Sequence, residues 1–219
     1  WLNTKAKISG TAPTVAQSRR LTRLPRAERR KQIVDVTLRL VGKYGVHDTT
    51  PVRIAAAAGV SAPTLYRSFR NRKDILLACT SVVHDRAMNV VNSSQNPNVI
   101  ERLREIGVYH GEHLSNKKTG FVEFLFQFAL APANLKLRER TRAIHLAVHE
   151  RLAAMIEEGK AQGSILDDVD PIDTAWRIIS FFWINDVSFL MRADEFRSRG
   201  LSMQALESIL DEIAARPRG

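Results

Sequence analysis

A single cysteine, Cys79, stands among 219 residues, so no disulfide can close within the chain. That usage fits a reducing compartment, and a lone thiol inside a helix reads as a small buried apolar residue rather than a redox sensor. Long apolar runs are also missing: Phe121–Pro132 and Ile178–Ile184 are the longest, short of the ~20 residues a bilayer span needs. The N-terminal stretch is polar and basic and lacks the apolar core of a secretory signal. Neither a membrane partner nor a leader is expected, and the chain reads as soluble and cytoplasmic. There is no glycine-rich phosphate loop and no paired-carboxylate motif, so no enzyme activity, catalytic residue or cofactor is expected. Alternating strand patterns and internal repeats are absent as well, which leaves an all-α fold.

Acidic residues are scarce at one end only. Residues 1–74 hold 16 Lys and Arg against 4 Asp and Glu, whereas residues 75–219 hold 17 against 19. The whole excess behind the net charge of +10 therefore sits in the first third of the chain. Solubility alone does not require such polarity; a polyanion partner does, through release of condensed counterions.

Within that basic third, Thr50 to Phe69 (TPVRIAAAAGVSAPTLYRSF) reads as a helix-turn-helix. Thr50 is a good N-cap, and Pro51 fits the first helical position, where a missing N–H costs nothing. Ile54, Ala55 and Ala58 give a short helix with a small-residue contact face, and Gly59 supplies the tight turn. Ser61 caps a second short helix that tolerates Pro63 in its first turn and points Leu65 and Phe69 inward. Two helices crossing at ~90–120° need this pattern. Upstream, Arg26 to Tyr44 is an amphipathic helix stopped by Gly45; downstream, Asn71 and Asp74 set a capping box.

These residues resemble the tetracycline-repressor (TetR) family of bacterial regulators. The match lies in Gly45, Thr49-Thr50, Ile54-Ala55, Ala58-Gly59-Val60-Ser61, Thr64-Leu65-Tyr66, Phe69 and Asn71-Arg-Lys-Asp-Ile-Leu76. It covers residues 26–78 and departs from the commonest pattern at Ala62-Pro63. The second short helix would enter a major groove. Thr50, Arg53, Ser61, Thr64, Tyr66 and Lys73 are expected on the DNA surface, mostly at phosphates. Ala62, Pro63 and Arg67 are expected at base edges, with Arg67 on a guanine. Residues 1–25, basic and without apolar periodicity, are expected to form a flexible arm along the duplex.

Residues 75–219 read as helices throughout: about Lys73–Asn92, Val99–Leu114, Phe121–Leu130, Asn134–Gln162, Asp170–Met191 and Ser202–Ala215. The expected organisation is a basic arm over 1–25, a helix-turn-helix domain over 26–74 and a helical effector-binding and dimerisation domain over 75–219. The helix after Asp170 has two apolar faces, and a monomer core covers one. An isologous homodimer through Phe182, Phe189, Leu206 and Leu210 is expected to cover the other, and the resemblance implies the same four-helix interface.

The resemblance also implies an effector pocket in this domain. Tyr109, His113, Phe124, Gln127, Phe128 and His149 are candidates to line it, with Trp176, Trp183 and Asn185 from the later helix. His110 and Asp186 belong to the same aromatic and polar mixture, and Gln127, Asn185 and Asp186 are candidates to orient a ligand. His145 with His149, and His110 with His113, have spacings that can ligate a metal. Without a cysteine or a zinc-protease order, histidines lining an apolar cavity are the better reading, and no metal is expected. The expected function is a repressor released from a near-palindromic operator in double-stranded DNA by a small, mainly apolar effector. A regulator without an effector, and a histidine-based enzyme or metal sensor, are the alternatives.

Overall fold

The computed structural model describes residues 24–115, 121–130 and 135–215. The arm expected over residues 1–25 lies, apart from Leu24 and Pro25, outside the described residues. Among those described the fold is helical: α1 (Arg26–Asp48), α2 (Pro51–Ala57), α3 (Ala62–Ser68), α4 (Arg72–Val91), α5 (Val99–Ser115), α6 (Phe121–Leu130), α7 (Leu135–Ala161), α8 (Pro171–Leu190), α9 (Asp194–Ser198) and α10 (Leu201–Ile213). The short α9 has no counterpart in the sequence reading. An isolated bridge between Ile165 and Ala214 pins the end of α10 beside the α7–α8 turn.

Helix starts follow local side-chain chemistry. Thr50, Ser61, Asn71 and Asp170 each accept a hydrogen bond from the amide three residues on, at Arg53, Thr64, Asp74 and Asp173. Each such cap contributes about 0.5–2 kcal/mol. Asp74 reaches back to the Arg70 amide at 3.2 Å, a reciprocal box displaced by one residue from the usual pattern. The helical run of α1 is interrupted at Gly45, where φ is 76° and ψ is 168°. A side chain there would meet the left-handed penalty, so glycine is the residue that lets the chain turn toward α2.

One apolar cluster joins α1–α4 to α6 and the first half of α7, through Ile33, Leu38, Ile54, Leu65, Phe69, Phe124 and Ile144 among others. A second joins the end of α4 to α5, α7, α8 and α10, around Leu103, Ile106, Leu152, Met155 and Ile179. The α4 helix runs through both, so the expected boundary at 74/75 falls three residues inside a continuous helix. The helix-turn-helix and the helical body therefore share packing, which couples their movements.

Three of the residues assigned to a dimer interface belong to this core instead. Leu206 and Leu210 are fully buried within the chain. Leu206 seats on Gly107 of α5, where an added Cβ would collide with it. Phe182 is also buried, with its ring 4.7 Å from that of His110. Phe189 is half-buried against the first cluster. An apolar period marks a face that must be covered, and here α5 and α7 of the same chain cover it. The exposed apolar stripe of α8 is a different one, with Ile172, Trp176, Trp183 and Ile184, continued by Met191.

Candidate nucleic-acid interface and buried chamber

The surface of α3 is built by what the helix buries. Leu65, Ser68 and Phe69 face inward, which leaves Ala62, Pro63, Tyr66 and Arg67 exposed. Arg30 of α1 stacks its guanidinium over the Phe69 ring at 4.0 Å and donates to the Ser68 carbonyl, clamping the end of α3 onto α1. On the outer side, Arg67 donates to Thr64 Oγ1 at 2.7 Å, and Thr64 Oγ1 lies 3.0 Å from Ser61 Oγ. This relay holds the Arg67 guanidinium over the first turn of α3, and less side-chain entropy remains to be lost on docking.

Of the other expected contacts, Thr50 serves as the α2 cap and Lys73 is exposed. Arg53 is exposed yet engaged: its guanidinium lies 4.4 Å from the Tyr44 ring centroid and donates to the Asp48 carbonyl at 3.0 Å. Lys43 approaches the same ring, and its hydrogen bond and charge lower the Tyr44 pKa. The structure adds cations that the sequence reading did not single out: Arg26 and Arg29 share a cleft with Thr64 and Arg67. Arg72 turns inward and donates to the carbonyls of Thr49 and Val46, so it braces the turn before α2. Neighbouring Lys and Arg in a motif can thus have opposite roles, and spacing alone does not separate them.

A second feature lies in the body. A small chamber of about 50 Å³ lies between five helices: Ala87, Val90 and Val91 from α4, His110 from α5, Phe121 and Leu125 from α6, Ile144, His145 and Val148 from α7, and Ile179, Phe182, Trp183 and Asp186 from α8. Trp183, His145 and Leu125 also wall an open groove of about 460 Å³ whose far side carries Arg138 and Arg142. The Trp183 indole N–H donates to His145 Nδ1 at 3.5 Å, which marks that imidazole as an acceptor. Burial lowers the His145 pKa further, and the charge of Asp186 only partly opposes this.

Of the residues expected in an effector pocket, Trp183 lines the chamber, as do His110 and Asp186 of the same aromatic and polar mixture. Tyr109 is exposed. Phe124 and Phe128 pair with ring centroids 4.7 Å apart inside the core shared with α1. Gln127 is exposed at the α1–α6 contact and accepts from the Val46 amide. Asn185 is buried, but its amide donates to the Phe181 carbonyl of its own helix at 2.9 Å. His149 donates to the Ile172 carbonyl at 3.1 Å and stacks on Trp176, which itself borders the open groove. The side chain of His113 lies outside the described residues. Aliphatic residues of α4 and α7, among them Val90, Val91, Ile144 and Val148, complete the lining, types that carry no signal of a site in a sequence.

A helix-turn-helix presenting an arginine-rich face, on a helical body, defines the class of helical DNA-binding regulator folds. Residues 33–79 match the family model of the bacterial regulatory proteins, tetR family. The HTH-type transcriptional regulator BetI of Escherichia coli is 33% identical over 82 residues, 36% of this chain and 42% of that protein. The chain thus matches less than half the length of the curated relatives it aligns with. A TetR transcription regulator from Haloarcula marismortui superposes with a TM-score of 0.75 at 19% identity, over 86% of this chain and 99% of that one. A complex of SmeT with triclosan gives 0.72 at 19%, over 87% and 93%. The transcriptional regulator FadR from Bacillus subtilis, in complex with stearoyl-CoA, gives 0.67 at 22%, over 84% and 98%. At these identities the likeness is one of fold. Residues 33–79 thus resemble the bacterial regulatory proteins of the tetR family, and the described helices share the fold of TetR regulators.

Proposed function

We propose that this protein is a sequence-specific DNA-binding regulator, a repressor that a small, mainly apolar effector releases from a near-palindromic operator. The observation that carries this is one of packing. The chamber and the DNA-facing helices hang on the same two elements, α4 and α6. Ala87 of α4 lines the chamber, and the same helix starts at Arg72, four residues after the end of α3. Phe121 and Leu125 of α6 line it too, and Gln127 of α6 holds the α1 break. A ligand that swells the chamber must displace α4 or α6, and packed interiors pass such displacement on. A homodimer, with α8 presenting Ile184 and its cap presenting Met191, sets the spacing of two α3 helices for adjacent major grooves. Effector binding then favours a spacing that no longer fits.

A chamber of about 50 Å³ is smaller than the ~300–1,000 Å³ of sites that hold drug-sized molecules. That observation favours a second reading, a regulator that acts by occupancy without an effector. The exposed Trp183 between chamber and groove offers the way to enlarge it. Selection of duplexes from a random pool, followed by titration at several salt concentrations, tests the first claim. A two-fold symmetric consensus and affinity falling steeply with salt are expected. Binding without a consensus would refute specific recognition. Screening apolar compounds for release of the selected duplex then separates the two readings.

A further inference from the structure

We infer that the chamber selects a hydrophobic cation, an ammonium ion on an apolar body, with Asp186 as its counter-charge; this rests on the reading of the chamber as the effector site. Asp186 is 4% exposed and His110 is 6% exposed, and both line the chamber. His110 Nε2 lies 3.3 Å from Asp186 Oδ1, but off the line a hydrogen bond requires. Neither atom has another hydrogen-bond partner among the described residues. A carboxylate taken out of water is costly unless it is paired and hydrogen-bonded. No lysine or arginine lines the chamber to do this.

The other ionisable groups point the same way. Glu123 on α6 is half-buried; burial raises its pKa, and the neighbouring charge of Asp186 raises it further. His145 accepts from Trp183 and is held toward its neutral form by burial. Phe121, Phe182 and Trp183 present rings to the same space, and ring faces attract cations most strongly where water is excluded. An anion would meet the Asp186 carboxylate, with no lysine or arginine in the lining to offset it. A neutral hydroxyl would satisfy one lone pair of Asp186 without matching its charge. The guanidiniums of Arg138 and Arg142 stand in the open groove beyond Trp183, where solvent screens them.

Calorimetric titration of the full chain with benzyltrimethylammonium, its hydrocarbon isostere neopentylbenzene, and phenylpropionate tests this, each probe also being assayed for release of bound DNA. The cation is expected to bind about tenfold or more tightly than the isostere. Asp186→Asn should remove that preference and leave neopentylbenzene within about twofold of its wild-type affinity. The wild-type comparison needs no variant, so a poorly folded Asp186→Asn does not spoil it. If the hydrocarbon binds as well as the cation and releases DNA, the charge preference is wrong while the chamber reading stands. Tighter binding of phenylpropionate overturns the inference and moves the site to the groove. If no probe binds, both the chamber reading and this inference fall.

Discussion

The backbone amide of Val46 donates to Gln127 Oε1 at 2.7 Å and ties α6 to the segment just past the break in α1. Gly45 creates the opening for this bond, because its positive φ withdraws the next amide from the helical ladder. Arg72 meets the same segment from α4 through the carbonyls of Val46 and Thr49. Both chamber-lining helices therefore grip the start of the helix-turn-helix. Gln127→Leu should cost only about 0.5–1 kcal/mol of stability, as for one exposed hydrogen bond. DNA affinity without ligand should change little, and the loss of affinity caused by an effector should shrink. A ligand response equal to that of wild type would show that coupling runs through α4 alone.

Arg67 is exposed on the outer side of α3, its guanidinium held by a hydrogen bond to Thr64. Arg67→Ala is expected to cost ~1–3 kcal/mol on the selected duplex and less on a scrambled one, because a base contact is lost. Lys73→Ala should weaken both alike and reduce the salt slope by about one. Paired titrations at fixed salt read this ratio. An unchanged specificity ratio for Arg67→Ala would move base reading to Tyr66 or to the first turn of α3.

The exposed stripe of α8 and the buried face of α10 make opposite predictions. Ile184→Glu places a charge on a surface that is 43% exposed in the single chain. It should yield folded monomers with unchanged helical circular dichroism and much weaker operator binding. Leu206→Glu buries the same charge against α5 and should unfold the chain, since an unpaired buried carboxylate costs several kcal/mol. Sedimentation velocity with circular dichroism distinguishes the two. Wild type sedimenting as a monomer at micromolar concentration would count against the dimer.

Burial pushes the Cys79 thiol up from 9.0 to about 12, the Asp35 charge adding to the effect. The sign follows directly. Below pH 9 the thiol is neutral folded and unfolded and contributes nothing pH-dependent. Above it the unfolded chain ionises while the folded one does not, so stability declines toward pH 12. Urea melts should show a steeper loss over this window for wild type than for Cys79→Ala. A thiol reagent at pH 8 should leave native Cys79 unmodified and react once the chain is unfolded.

The start of each DNA-facing helix was legible because it is decided within four residues. Thr50, Ser61 and Asn71 cap the amides that their position in the chain dictates. The charge polarity and the helical character of the body are likewise sums over sequence, independent of how helices pack. Which face of α8 meets which neighbour was not legible. Apolar residues there occupy more than half the circumference, so periodicity allows several orientations. Tertiary packing chose one, setting Phe182 and Asp186 toward the chamber and Ile184 outward, and it closed α10 over α5 through Leu206. Of the side chains expected to orient an effector, Asp186 lines the chamber, while Gln127 and Asn185 were drawn away by backbone partners at Val46 and Phe181. Local composition carried the DNA face of this protein; the chamber exists only where five helices, distant in sequence, fail to fill the space between them.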